Sequence, residues 1–333
     1  MTHSPTPLKF LFPGWYAVVM GLAGLSLAWH RAVPLMGEAA GAVALVVGSI
    51  AAAVFLLLLA STLMRGQRYP EAWAEDRRHP VRHTFIATLP IALILLATVA
   101  VALGLRGPSL TLLWGLGALL QLAVTAWVLG RWWKGSQVGG LPWASATPAL
   151  FIPVVGNVLV PLAGLPLGLP EWSAAQFGVG MLFWPVVMVL IVVRIAVQGL
   201  WPDRLRPTSF ILIAPPAVVG LSALQFGAPP LVGWALWGMA AFTLLWVGLQ
   251  SRQIAALPFG LPHWGMSFPL AALAALTLRL ATPGSALTVI GPLLLALASL
   301  VILALVLATL RGLRNGSLLA PEPVAALQPA PTA

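Results

Sequence analysis

VALVVGSIAAAVFLLLL, residues 43–59, is an uncharged run in which Ser49 is the sole hydroxyl, and its apolar residues follow no two-residue alternation. A helix apolar on every side belongs in hydrocarbon or in a large protein core. Membrane β-strands would instead show segments of about ten residues with alternating character. The same reading holds for LLLALASLVILALVLATL, residues 293–310. Working outward, 60% of the 333 residues are hydrophobic and 7% are charged, and the mean hydropathy is +0.99. Such values lie far outside soluble globular domains. A span needs roughly 20 apolar residues to cross about 30 Å of hydrocarbon. Ten segments qualify, near residues 13–30, 36–64, 84–104, 108–130, 147–168, 172–198, 208–227, 230–250, 264–281 and 286–310. The expected fold is therefore an all-α integral membrane protein of ten spans, residues 12–315, between a short arm (1–11) and a Pro/Ala-rich tail (316–333). Residues 1–30 also fit a signal-peptide pattern, but removing them would leave nine spans and spoil the charge distribution.

The formal charge of +10 reports topology. Lys9, the arginines of 65–82, Arg131, Lys134, Arg194, Arg204, Arg206, Arg252, Arg311 and Arg314 share one side of a ten-span arrangement, 14 of the 17 basic residues. Arg31, Arg106 and Arg279 fall on the other. The positive-inside rule then places both termini in the cytoplasm, in a cell inner (plasma) membrane, and no nucleic-acid partner is implied. Zero cysteines remove disulfides and thiolate chemistry. His79 and His83 have a metal-pair spacing, but Pro80 lies between them in a charged stretch, so residues 65–82 read as a solvated loop.

The prolines inside spans recur: Pro90, Pro153, Pro215 (with Pro216) and Pro269 are 63, 62 and 54 residues apart. That period is one helical hairpin. Spans three, five, seven and nine thus carry a central proline, spans two, four, eight and ten do not, and Pro185 in span six breaks the rule. A proline in a helix interior costs roughly 3 kcal/mol, and in hydrocarbon the carbonyl it frees must face protein or a watery cavity. The bent odd spans are expected inside, lining something, and the smooth even spans outside, against lipid.

All seven acidic residues, Glu38, Glu71, Glu75, Asp76, Glu171, Asp203 and Glu322, fall in loops, span ends or the tail. Proton relays and cation filters usually need carboxylates at depth, and intramembrane hydrolysis needs a Ser–His pair, two aspartates or a metal. None is present, so no enzyme, metal or cofactor is expected. Gln121, Asn157, Gln176 and Gln225 are the polar groups left at depth. The three glutamines read as interhelical hydrogen-bond partners, while Asn157, one turn after Pro153, is a candidate pore-lining residue. Gly21 and Gly24 permit close helix approach. These features describe an uncharged conduit more firmly than an anion conduit, because a proline bend frees a carbonyl, which repels anions.

Several stretches carry a family resemblance. Gly21-Leu22-Ala23-Gly24-Leu25-Ser26-Leu27-Ala28-Trp29, Pro80-Val81-Arg82 followed by Phe85-Ile86-Ala87 and Pro90, Val154-Val155-Gly156-Asn157, Ala214-Pro215, and Trp264 through Ser267-Phe268-Pro269 stand in register along the spans. In these the chain resembles the tellurite-resistance and C4-dicarboxylate transporter family, which includes the plant guard-cell slow anion channels. The resemblance implies a quasi-fivefold ring of five hairpins, odd helices inner and even helices outer, in a homotrimer with one pore per protomer. It implies a gated channel for small monovalent anions with Phe268 as the plug, and it places Gly21, Gly24 and Ser267 near the lining. Carrier or efflux transport of dicarboxylate, sulfite or tellurite oxyanions is the alternative it also carries. The family commonly has a Gly-x-Pro in span one, where this chain has Ala17-Val18-Val19-Met20.

Overall fold

The computed structural model describes residues 7–134 and 143–320; residues 1–6 of the expected arm and 321–333 of the expected tail lie outside it. Among the described residues there is no strand. Nine helices are long and apolar enough to cross a bilayer: α1 (Pro13–Met36), α2 (Glu38–Arg68), α3 (Arg82–Ala102), α4 (Pro108–Lys134), α6 (Pro170–Gln198), α7 (Asp203–Gln225), α8 (Pro230–Gly248), α9 (Leu261–Leu280) and α10 (Leu287–Arg314). The fifth expected span is a shorter apolar element, α5 (Pro148–Gly164). Its sequence explains the break. Pro148, Pro153 and Pro161 each deny the backbone an amide, and the chain runs as a 3-10 turn, five residues of α-helix (Phe151–Val155), a second 3-10 stretch (Gly156–Leu159) and a final helical turn (Pro161–Gly164).

Burial alternates along the chain. The most apolar window of α1, α3, α7 and α9 is 56%, 67%, 83% and 78% buried, against 28%, 33%, 22%, 28% and 28% for α2, α4, α6, α8 and α10. Leu56, Leu57, Leu112, Leu182, Phe242 and Leu293 on the even helices are exposed, a surface that in water would aggregate and in hydrocarbon is solvated. Each odd helix packs against the even helix that follows it. The odd helices also pack on one another, α1 on α3, α3 on α5, α5 on α7, α7 on α9 and α9 on α1. Side-chain hydrogen bonds join odd helices to the even helices that follow them: Ser26 Oγ donates to the Ala44 carbonyl at 2.6 Å and Trp264 Nε1 to Thr309 Oγ1 at 2.9 Å.

Pro90, Pro153, Pro215, Pro216 and Pro269 do not sit in α-helix interiors, which corrects the cost expected from the sequence. Each odd span opens as 3-10 helix and then turns α: α3 at Thr88, α5 at Phe151, α7 at Ala214 and α9 at Ser267. Pro90, Pro153, Pro216 and Pro269 are the third residue of those α segments, and Pro215 is the second of its own. The preceding 3-10 turn bonds the first amide of the α segment three residues back, Thr88 to Phe85, Ala214 to Ile211 and Ser267 to Trp264, so each proline falls where the bonding switches from i−3 to i−4 and removes less than it would from an α-helix interior. In α1 the change comes at Ala17, and the third residue is Val19. That helix is continuous to Met36 and contains Pro34; α6 and α10 contain Pro185 and Pro292.

The 65–82 stretch is not a solvated loop. Pro70–Arg78 is a helix with proline in its first turn, and Ala72 and Asp76, four residues apart on one face, are buried. Arg65 Nη1 lies 2.8 Å from Asp76 Oδ2, and Arg82 Nη1 lies 3.0 Å from Asp76 Oδ1. Arg65 Nε also donates to the Lys9 carbonyl at 3.0 Å, which ties Pro7–Phe10 of the arm to the end of α2. Among the described residues no group of His, Cys, Asp and Glu is arranged to hold a metal. His83 is buried, with Nδ1 3.0 Å from the His79 carbonyl.

Candidate functional site

All five odd helices border a cavity of about 60 Å³ in their N-terminal halves. Met20, Ile91, Val155, Pro215 and Phe268 each represent one of those helices in its wall, and the lining contains no charged side chain. A second cavity, about 270 Å³, is bordered by the C-terminal halves of the same helices or the turns that follow them, including Arg31, Thr98, Leu162, Gln225 and Ala275. One water needs on the order of 10–15 Å³ of such space, so both cavities have room for water. Met20 and Leu27, and Ile91 and Thr98, stand seven positions apart between the cavities, and Pro269 and Ala275 six. That is a closed stretch of about 10 Å at 1.5 Å per residue. Leu22, Leu95 and Leu273 are among the buried residues of these segments.

Phe268 and Pro269 are the last α9 residues along the chain to border the first cavity. The Phe268 ring is 8% exposed and lies on Gly24 of α1, where a methyl would meet Phe268 Cδ2 at 2.8 Å. Gly24 is thus the seat of the ring. Gly21, one turn earlier, lies against Ser267 and Trp264. Ser267 is buried and its hydroxyl donates to the Trp264 carbonyl at 2.6 Å, so it offers the cavity no donor. Pro215 and Pro269 border the first cavity; Pro90 and Pro153 do not.

Asn157 borders neither cavity. It faces α4 and α6, where the broken backbone of α5 must find donors. The Pro153 carbonyl accepts from Gln121 Nε2 at 2.7 Å, from Asn157 Nδ2 at 3.1 Å and from the Thr125 hydroxyl. Gln176 Nε2 donates to Asn157 Oδ1 at 2.9 Å, Ser222 Oγ to the Val158 carbonyl at 2.6 Å and Trp114 Nε1 to the Val160 carbonyl at 3.0 Å. Gln121 and Gln176 are interhelical partners as expected, whereas Gln225 lines the second cavity. Asn157→Leu should cost about 1–3 kcal/mol, because it strips Gln176 of an acceptor and Pro153 of a donor. Thermal unfolding in detergent reads this as a lower Tm, and an unchanged Tm would mean that the network contributes nothing.

Comparison with known proteins bears on this geometry. The family described as "Voltage-dependent anion channel" matches residues 11–310, and the chain belongs to that family. The tellurite resistance protein TehA homolog of Haemophilus influenzae is 28% identical over 276 residues, covering 81% of this chain and 80% of that protein. The S-type anion channels SLAH3 and SLAH2 of Arabidopsis thaliana are 26% and 23% identical over 268 and 269 residues. The matched region spans 78% and 79% of this chain but only 41% and 51% of those longer plant proteins.

Proposed function

We propose that this multi-pass membrane protein is a gated channel for small monovalent anions, in which five hairpins form a ring around an axial pathway that Phe268 closes. The observation that carries the reading is the pair of cavities, each bordered by all five odd helices and neither by a carboxylate. The succession of contacts from α1 through α9 and back to α1 supports the ring. Burial of every long odd helix beyond every even one supports the inner and outer layers. The distribution of basic residues supports cytoplasmic termini in a plasma membrane.

Mechanistically, the chain's part is steric and electrostatic. An anion entering the first cavity meets apolar walls and must shed water before the closed stretch, so the barrier is dehydration, and selectivity follows from bore and weak polar partners. The absence of carboxylates from both linings leaves no fixed negative charge to hold a cation. A second reading, a carrier or efflux protein for dicarboxylate, sulfite or tellurite oxyanions, is favoured by the name of the Haemophilus relative. Purified protein in planar bilayers under a chloride gradient separates the two. Unitary steps reversing at the chloride potential are the expected result; saturable exchange with little current would overturn the channel in favour of the carrier.

A further inference from the structure

The second cavity has a feature that neither an uncharged conduit nor the family's plug explains. Its lining contains His30 and Arg31 from the end of α1 and Arg106 from the turn after α3, with no Asp or Glu. Arg279, four residues beyond Ala275 on α9, is exposed and within Coulombic range of Arg31. These three arginines are the ones that lie at the pole opposite the other 14 basic residues, where membrane proteins carry fewer of them. Topology therefore does not account for them, and here they gather at one mouth.

Their partners are as informative as their position. Among the described residues no carboxylate pairs with Arg31, Arg106 or Arg279, and Arg31, half-buried, has no hydrogen-bond acceptor. Arg106 is held in place by its own backbone: Nη1 donates to the Val101 and Leu105 carbonyls, both at 2.7 Å. The acids nearest in the chain at this pole, Glu38 and Glu171, are exposed in the first turns of the outer helices α2 and α6. A guanidinium taken partly out of water without a counter-charge is costly, and a mobile anion is the partner that would relieve it. Guanidinium suits this role: it stays charged at any working pH and presents paired donors to a halide, a carboxylate or an oxyanion.

We propose that Arg31, flanked by Arg106 and Arg279, is an anion-capture site at the mouth opposite the termini, holding a small inorganic anion or carboxylate before it reaches the closed stretch. The inference rests on the anion-pathway reading. A cleft with one sign of charge and low-dielectric walls concentrates counter-ions and raises entry rates by about 10–10³. Exposed charges act over about 10 Å at 0.1 M salt and about 3 Å at 1 M. Entry from this side should therefore depend on ionic strength, and entry from the other side much less.

The test uses the full-length protein in bilayers of neutral phosphatidylcholine, so that lipid phosphate carried by anionic headgroups does not contribute, with chloride as the probe. Arg31→Gln should lower chloride current entering from this mouth by about tenfold at low salt, with little change from the opposite mouth and a difference that shrinks near 1 M. Arg31→Lys, which keeps the charge, should recover most of the current. Equal currents in wild type and Arg31→Gln from both sides at low salt would overturn the capture site. No chloride current in the wild type under any gradient would instead overturn the anion-pathway reading beneath it. Elution volume and Tm check folding, and should Arg31→Gln misfold, Arg106→Gln carries the same test from a turn outside the helices.

Discussion

Phe268→Ala should raise basal anion current several-fold in bilayer recordings, with the unitary conductance reversing at the same potential as in the wild type. The ring borders the first cavity and rests on Gly24. Removing it joins the first cavity to the start of the closed stretch and lets water advance, and each 1.36 kcal/mol taken from the dehydration barrier is worth tenfold in rate. Burial of a phenylalanine normally makes its truncation cost about 3–5 kcal/mol. Here the vacated space opens on an existing cavity instead of a closely packed core, so the stability loss should fall at the low end and the protein should still be recovered folded. Gly24→Ala tests the seat. Its methyl occupies the space of the ring edge, which must leave, so current should rise less than in Phe268→Ala, and the double variant should exceed Phe268→Ala by little. Unchanged current in Phe268→Ala would remove this residue from the gate, whatever its packing.

The membrane class and the odd–even alternation in burial were legible because both follow from one-dimensional patterns. An all-round apolar run such as residues 43–59 has only one solvent, and prolines recurring at the length of a hairpin mark the helices that bury most surface. The proline energetics were less legible. Sequence gives the positions of Pro90, Pro153, Pro215 and Pro269 but not where 3-10 gives way to α, and that boundary turns an interior proline into one in a first turn. Asn157 shows the consequence for a site. A 3-10 stretch turns 120° per residue where an α-helix turns 100°, so within Gly156–Leu159 the face of a side chain no longer follows from α-helical spacing to Pro153. Its partners Thr125 and Gln176 are 32 and 19 residues away, distances no local pattern reports. Arg31, Arg106 and Arg279 were each readable alone as a basic residue at a span end. Their convergence exists only after α1, α3 and α9 are assembled. Family resemblance supplied Phe268, and spacing would not have singled it out among 12 phenylalanines.

Asp76→Ala should produce the largest stability loss of any substitution outside the spans, about 3–5 kcal/mol, read as a lower Tm and faster aggregation in detergent. Burial pushes the Asp76 carboxyl above its ordinary value, and the guanidiniums of Arg65 and Arg82 pull it back only in part. Desolvation being the larger effect, the ion pair is not itself a source of stability. What costs is removing half of it. Arg65 is 1% exposed, and without Asp76 its charge stays buried, leaving the Lys9 and Ala72 carbonyls as acceptors and Trp73 under its guanidinium at 5.6 Å. Replacing both partners by apolar residues of similar volume, Arg65→Met with Asp76→Leu, should therefore recover a large part of the loss, since burying packed hydrocarbon in place of an ion pair is often neutral or better. If the double variant were as unstable as Asp76→Ala, the pair would be holding the Pro70–Arg78 helix by specific geometry and not merely balancing charge. The location adds a functional expectation: this helix ties the arm and the end of α2 to the start of α3, whose Phe85 and Thr88 line the first cavity. Loosening it should change anion current as well as Tm, whereas the double variant should restore both together.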